Sequence, residues 1–313
     1  MYTNSLVRSF FKRLYIKKYF RCNAVYSNLS KGFRLPTKSS ICFYLGNSEF
    51  IHLGDFSFFL PSIYALSKKY NLYVYLDSNH QKILEFFFQD KIEIHPIKKP
   101  SDLSQFNLII TQPYLINEVD SYKFLAIGLP SSLINVPYPQ YILDKIHFFL
   151  NFKSFSSSYS YYLKRISNNI HSDSSKIFLK KYNLNKSDKY IILSPFMGSG
   201  KFRDPFKILQ KKIFSLLINL NNHNKYKVIL VGSITDKINF KIPFQYHDFR
   251  GINIYDLMTL INNKQICFGI GFDNYWMHFF NIIEKQYFTI HRRHFTITAI
   301  KNHRHSINLS FKK

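Results

Sequence analysis

The sequence predicts an α/β protein with two domains in series, each built on a doubly wound parallel sheet. Short apolar runs alternate with segments of helical period, which is typical of parallel strands connected by helices. The alternation breaks over residues 112–140, which are rich in Pro, Tyr and Ser, and a second alternation begins at Tyr190. The break and the restart indicate two sheets rather than one.

The first alternation begins at Ser40. We predict strands and helices from the apolar period in this order: strand Ile41–Leu45, helix Phe56–Lys69, strand Leu72–Leu76, helix His80–Phe88, and strands Ile92–His95 and Leu108–Thr111. Residues 141–166 are predicted to be largely helical, with a Ser-rich interruption at 154–160 where one domain gives way to the next.

The second alternation follows the same rules. Its predicted elements are strand Tyr190–Leu193, helix Phe206–Leu220, strand Lys227–Val231, helix Ile254–Ile261, strand 266–270, a helix that ends near Glu284, and strand Gln286–Ile290. The predicted domains are therefore a basic, aromatic leader at 1–38, a first α/β domain at 39–165 and a second at 166–313.

Composition limits the possible partners and compartments. The 313 residues are 46% hydrophobic, and 43 Lys and Arg against 18 Asp and Glu give a net charge of +25. This charge favours an anionic partner, which could be nucleic acid, an anionic membrane or a phosphorylated substrate, although AT-rich codons also enrich Lys. The 3 cysteines have no regular spacing, so we expect neither a disulfide framework nor a zinc ribbon. We interpret the protein as cytosolic, without a signal peptide or membrane span.

The leader combines basic and aromatic residues. The aromatic members include Phe10, Tyr15 and Phe20, and they are interleaved with Arg8, Lys12, Arg13, Lys17, Lys18 and Arg21. This pattern is typical of a membrane-surface segment, and it also fits a leader that docks on the first domain.

The turn after the 266–270 strand is the first place to look for function. Ligands of open parallel sheets bind outside the carboxyl ends of the strands, where the free N–H groups of the next helix attract phosphate. Asp273, Asn274 and His278 fall in this turn and in the first helical turns, so they could face one bound nucleotide.

A second candidate is Gly54-Asp55, which precedes a helical pattern. Asp55 could cap that helix, which is a structural role, or it could act as a general base that takes a proton from an acceptor hydroxyl. The sequence alone leaves both possibilities open.

The third candidate is the loop from Ser194 to Lys201. It is not a P-loop, because Pro195 stands where the first Gly belongs and Phe202 where Ser or Thr belongs. It could still offer N–H groups and the Lys201 ammonium to a diphosphate, or it could be an ordinary turn. The chain contains no D-x-D, so a metal-bridged diphosphate is not supported, and we expect no metal site.

These candidates resemble motifs of the heptosyltransferases, glycosyltransferase family 9. The segment Asp273–His278, followed by an apolar helix, a Lys and an apolar strand, resembles the family's D-[ST]-G-x-x-H segment. The loop Ser194–Lys201 resembles its phosphate loop, and Gly54-Asp55 followed by Pro61 is similar to its G-D-x-x-x-x-x-P signature.

A fourth segment, between the phosphate loop and the D-[ST]-G-x-x-H segment, is also similar. Gly251, Asp256-Leu257 and Leu260-Ile261 resemble the family's Gly followed by an [DE]-L-x-x-[LI]-I helix, with a gap that is one residue shorter. The matches occur in the family's order and span about residues 40 to 295.

The resemblance implies a GT-B fold, in which two Rossmann-like domains face across a cleft, and no metal or other cofactor. It implies an inverting glycosyltransferase that moves heptose, or a related sugar, from ADP-heptose or another nucleotide-sugar to the lipopolysaccharide inner core. Asp55 would be the general base, and Lys201 would bind the donor diphosphate. The other nucleotide-sugar residues implied by the resemblance are Ser194, Met197, Gly198, Asp273, Asn274 and His278.

The resemblance also gives the positive charge a specific meaning. We expect an anionic glycolipid acceptor with Kdo carboxylates and lipid A phosphates, and a cytoplasmic enzyme that is peripheral on the cytoplasmic face of the inner membrane.

Two departures from the family keep alternatives open. Asn274 replaces the family's small hydroxyl residue, and Tyr275 replaces its Gly. These changes are compatible with a different nucleotide-sugar or with an inactive GT-B paralogue. A basic nucleic-acid-binding protein is the alternative from another class, but its typical modules are missing from the sequence, and we expect no nucleic acid partner.

Overall fold

The structure is a computed structural model, and it describes most of the chain. The described residues are 25–30, 33–46, 51–88, 92–96, 103–128, 137–151, 158–168, 170, 179–196, 214–215, 217–219, 226–236, 242–272, 274–292 and 306–311.

The chain forms two compact units. The first contains Met1–Ile51, Phe58–Gln81 and Asp90–Tyr159, and the second contains His52–Ser57, Lys82–Gln89 and Ser160–Lys313. Two short segments from the first half of the chain, one of them carrying Asp55, therefore belong to the second unit. The predicted domain limits at 38/39 and 165/166 stay a prediction.

The described elements are the following, in chain order: β1 Val25–Ser27, β2 Ser40–Tyr44, α1 Leu53–Ser57, α2 Leu60–Ser67, β3 Asn71–Leu76, α3 Ser78–Phe88, β4 Glu93–Pro96, β5 Leu108–Thr111, a 3-10 helix Pro113–Glu118, β6 Phe124–Ile127, α4 Tyr138–Leu150, α5 Tyr159–Ser167, β7 Tyr190–Ser194, β8 Lys227–Leu230, β9 Tyr246–Asp248, α6 Ile254–Asn262, β10 Ile266–Phe272, α7 Tyr275–Ile282, β11 Gln286–Arg292 and β12 Ser306–Phe311.

The first sheet has the strand order β1-β6-β5-β2-β3-β4. Strands β2 to β6 are parallel to one another, whereas β1 pairs antiparallel with β6. Strands β2 to β5 confirm the predicted strands. Strands β1 and β6 were not predicted. β6 is a short, fully buried apolar run inside the Pro- and Tyr-rich break, and β1 is part of the predicted leader.

The predicted helix Phe56–Lys69 is in fact two helices, α1 and α2. Pro61 occupies one of the first two positions of α2, where a backbone N–H has no partner within the helix, so its absence costs nothing. In a continuous helix over 56–69 the same position would need that N–H as a hydrogen-bond donor. The chain therefore breaks after Ser57 and begins again at Leu60.

The second sheet is parallel throughout its described strands, in the order β12-β11-β10-β7-β8-β9. Its four predicted strands are confirmed, as is the helix at Ile254–Ile261. The predicted helix Phe206–Leu220 lies largely outside the described residues. Strand β10 passes close to its neighbours because Gly271 has no Cβ, which would collide with the Ser194 carbonyl oxygen.

None of the helices in the described part of the chain combines the length and the apolar character that crossing a bilayer requires.

Lys285 joins helix α6 to the strand that follows it. Its Nζ donates to the carbonyl oxygens of Ile261 at 2.7 Å, Ile266 at 3.1 Å and Asn263. Burial lowers the pKa of Lys285 to about 8, so the ammonium form predominates at pH 7. The last carbonyls of a helix lack partners within the helix, and this side chain supplies them.

We expect Lys285→Met to lower the free energy of unfolding by about 1–3 kcal/mol, because it removes the donor from partly buried carbonyls. The matched control is Lys264→Met in the same connection, since Lys264 is exposed, and it should change stability by less than about 0.5 kcal/mol. Urea unfolding at pH 7 measures both values. Equal effects of the two substitutions would contradict the capping role of Lys285.

Candidate functional site

The site is built at the carboxyl ends of two adjacent strands, β7 and β10. In the sheet register Gly271 pairs with Ser194, so the turns that follow these strands begin side by side. The first of these turns leads to Pro195 and Phe196, and the second leads to helix α7. This edge of a parallel sheet is where ligands of open α/β folds bind.

The side chain of Asn274 connects the two turns. Its Oδ1 accepts a hydrogen bond from the Trp276 N–H at 3.0 Å, which makes Asn274 the N-cap of α7. Its Nδ2 donates to Ser194 Oγ at 2.7 Å and to the Phe196 carbonyl oxygen at 3.0 Å. Both ends of the amide are thus engaged with protein atoms.

These contacts define what Asn274 and Ser194 can do. Ser194 is buried, and Asn274 is partly buried with its amide engaged by Ser194, Phe196 and Trp276. The two side chains hold the turns in place, and the first N–H groups of α7 are those that lack partners within the helix.

Tyr275, which stands at the family's Gly position, points into the core of the second unit. Its hydroxyl donates to the Met258 sulfur at 2.9 Å, and its ring stacks on Phe279 with centroids 6.1 Å apart. Burial raises the pKa of Tyr275 well above its ordinary value, so the phenol stays neutral. The bulky ring is therefore accommodated by packing between α6 and α7.

Helix α1 contacts α7 at Gly54. A Cβ on Gly54 would lie 3.2 Å from His278 Cδ2 and 4.0 Å from the Tyr275 nitrogen. The missing side chain lets the backbone of α1 lie directly on the His278 ring, which is itself buried. The Gly54-Asp55 pair is thereby brought beside the first turns of α7.

Asp55 lies inside the first turn of α1 and not at its N-cap position, so the simple capping role is wrong. Its side chain is half-buried. Desolvation raises the pKa of the Asp55 carboxyl above its ordinary value, and the exposed His52 imidazole acts in the opposite direction. A carboxylate with a raised pKa is a stronger base, which is the property that proton abstraction requires.

Four predicted site residues are placed by the structure: Asp55, Ser194, Asn274 and His278. The other four lie outside the described residues: Met197, Gly198, Lys201 and Asp273. Sequence reasoning missed the link from Asn274 to Ser194 and Phe196. The N-cap itself had a signal, because Asn directly before an apolar helix is a preferred cap, but the link to β7 has no local sequence signature.

The fold is shared with solved glycosyltransferases. The structure is similar to a glycosyl transferase family 9 protein from Veillonella parvula, with a TM-score of 0.65 and 13% identity over 90% of this chain and 88% of that chain. It is also similar to E. coli ADP-heptose lps heptosyltransferase II, with a TM-score of 0.57 and 10% identity over 87% of this chain and 90% of that one.

A third solved relative is the E. coli heptosyltransferase WaaC with ADP. Its TM-score is 0.58, at 8% identity over 87% of this chain and 93% of that chain. No protein-family model matches the sequence, and no curated protein matches it. The predicted GT-B fold and the resemblance to glycosyltransferase family 9 are confirmed at the level of the fold.

We expect Asn274→Ala to lower the free energy of unfolding by about 2 kcal/mol, the sum of a lost N-cap and of lost hydrogen bonds to the β7 turn. The matched control is Asn253→Ala, because among the described residues Asn253 caps α6 through a single hydrogen bond, from the Tyr255 N–H. That control should cost about 1 kcal/mol. Urea unfolding of both variants measures the difference, and equal costs would show that the link to Ser194 and Phe196 adds no stability.

Proposed function

We propose that the protein is an inverting, metal-independent glycosyltransferase that moves heptose, or a related sugar, from a nucleotide-sugar to the lipopolysaccharide inner core. The observation that carries the proposal is the position of the Gly54-Asp55 pair beside the first turns of α7, in a chain with the fold of heptosyltransferases. A shared fold alone gives no chemistry, whereas this juxtaposition supplies a base and a phosphate-binding turn.

The donor is proposed to bind at the carboxyl ends of β7 and β10. The free N–H groups of α7 favour the negative charge of a diphosphate, and Lys201 follows β7 in the sequence. The E. coli WaaC structures contain ADP or ADP-2-deoxy-2-fluoro heptose, which makes an ADP-sugar the first donor to test. In this proposal Met197, Gly198 and Asp273 border the same ligand.

Asp55 is proposed to act as the general base. Its carboxylate takes the proton from an acceptor hydroxyl, and the hydroxyl oxygen forms a bond to the anomeric carbon of the donor sugar. The bond between that carbon and the diphosphate breaks on the opposite face, which inverts the configuration. The leaving diphosphate takes the electron pair, and Lys201 with the N–H groups of α7 neutralises its charge.

The acceptor side of the proposal depends on charge. A net charge of +25 favours an acceptor that carries carboxylates and phosphates, and it favours the anionic cytoplasmic face of the inner membrane. We propose peripheral membrane binding on this basis. The metal-independent part of the proposal follows from the sequence, which has no D-x-D to bridge a metal to the diphosphate.

We expect Asp55→Asn to lower kcat by about 10²–10⁴-fold and to leave nucleotide affinity nearly unchanged. At pH 7.5 its melting temperature should equal or exceed that of the wild type. The pKa of Asp55 is raised in the folded state, so the folded state disfavours the ionised carboxylate at this pH, and that penalty decreases as the pH falls below the raised pKa and vanishes below the ordinary pKa.

The matched control is Asp120→Asn, since Asp120 is exposed, and it should change neither quantity. In the wild type kcat should fall on the acid side with an apparent pKa above the value of about 3.9 for an ordinary Asp. Unchanged turnover of the Asp55→Asn variant would remove the base assignment.

Donor binding is tested by thermal shift with ADP-, UDP-, GDP- and CMP-sugars, because a ligand that binds only the folded protein raises its melting temperature. We expect a shift with one nucleotide class, and Lys201→Ala should reduce the affinity by about tenfold or more. Lys189→Ala is the matched control: Lys189 is exposed and lies before the amino end of β7, away from the proposed site. No shift with any of these donors would contradict the proposal.

A further inference from the structure

We infer that His278 is a positioning residue for Asp55. Gly54 of helix α1 packs against the His278 ring, and this contact fixes the position of the helix that carries Asp55. This inference rests on the proposed function, since it gives the base of that reaction a fixed support. It assigns His278 a role through helix α1 and not a direct contact with the nucleotide-sugar.

The contact is close enough to be sensitive to one methyl group. At Gly54 a Cβ would lie 3.2 Å from His278 Cδ2 and 3.5 Å from Nε2, so an Ala side chain needs α1 or the ring to move by a few tenths of an ångström. Asp55 is the next residue in the chain. Any displacement of Gly54 is therefore passed directly to the backbone of Asp55.

The ring side of the contact is held firmly. His278 is buried at 5% exposure on α7, and its neighbours Met277 and Phe279 are fully buried. The Phe279 ring contacts Phe86 at 5.6 Å and Phe87 at 5.9 Å between centroids. Because α7 is locked by this packing, a larger residue at position 54 would displace the short helix α1 rather than α7.

The α1 side of the contact is a short helix. The helix has 5 residues, of which Phe56 and Ser57 are buried. The Ser57 hydroxyl donates to the Gly54 carbonyl oxygen at 2.5 Å, which keeps the turn compact. Asp55 thus lies between two fixed points, the Gly54 contact with His278 and the buried Phe56. A general base requires such fixation, since a displacement of about 1 Å costs on the order of 10²-fold in rate.

The test is a double-mutant cycle on the full chain with Gly54→Ala, His278→Asn and the double variant. Steady-state kcat is measured with the ADP-sugar and a lipopolysaccharide-core acceptor, and donor affinity by thermal shift. We expect Gly54→Ala to lower kcat about 3–10-fold in the wild-type background, because the required shift is a few tenths of an ångström. In the His278→Asn background, where the shorter side chain leaves room for the methyl group, the loss should be less than about twofold. Donor affinity should change by less than about twofold in each variant.

Several outcomes would overturn the inference. Equal effects of Gly54→Ala in both backgrounds would show that the two residues do not act together. A loss of donor affinity in His278→Asn as large as its loss of kcat would assign the ring to the ligand instead. If the Gly54→Ala variant does not fold, the His278→Asn variant alone tests the inference, because a positioning role of His278 predicts a lower kcat with an unchanged donor affinity. A wild type without transfer activity would overturn the proposed function itself, whereas an active wild type with an additive cycle overturns only this inference.

Discussion

The arrangement of the candidate site depends on the side-chain amide of Asn274, which carries both a hydrogen-bond acceptor and a hydrogen-bond donor. Asn274 accepts the Trp276 N–H through Oδ1 and donates to Ser194 and Phe196 through Nδ2. A hydroxyl residue could cap α7, but it is too short to serve the turn after β7 as well. The start of the helix and the path of the neighbouring turn are thus fixed by the same amide. The Asn in place of the family's hydroxyl residue is therefore compatible with an ordered site.

The packing behind this turn explains how the second departure is tolerated. Tyr275 replaces a glycine of the family pattern, yet its ring lies between α6 and α7, with the hydroxyl on the Met258 sulfur. The aromatic cluster continues through Phe279 to Phe86 and Phe87. The core of the second unit therefore absorbs the extra volume of the ring.

The sequence predicted most of the parallel strands because burial on both faces makes them continuous apolar runs. In the first sheet it missed β6, which lies inside a Pro- and Tyr-rich segment, and β1, which is defined by its antiparallel partner and not by its own pattern. It predicted Asn274 as a site residue but not its contact with Ser194, which lies 80 residues away. Long-range contacts of this kind depend on the sheet register, and no local signal encodes them.

The environment of Asp55 separates a structural from a functional reason for an acid at this position. A helix cap is most useful when exposed and fully ionised, whereas the half-buried Asp55 carboxyl lies within the first turn, and desolvation raises its pKa. A charge held under such conditions costs folding free energy. Gly54, the residue before Asp55, also has a cost. Glycine has a low helix propensity and α1 has only 5 residues, but the missing side chain allows the close contact with His278. The desolvation of Asp55 and the low helix propensity of Gly54 are thus two costs at adjacent residues. A requirement for the Asp55 carboxylate to occupy a defined position beside α7 explains both.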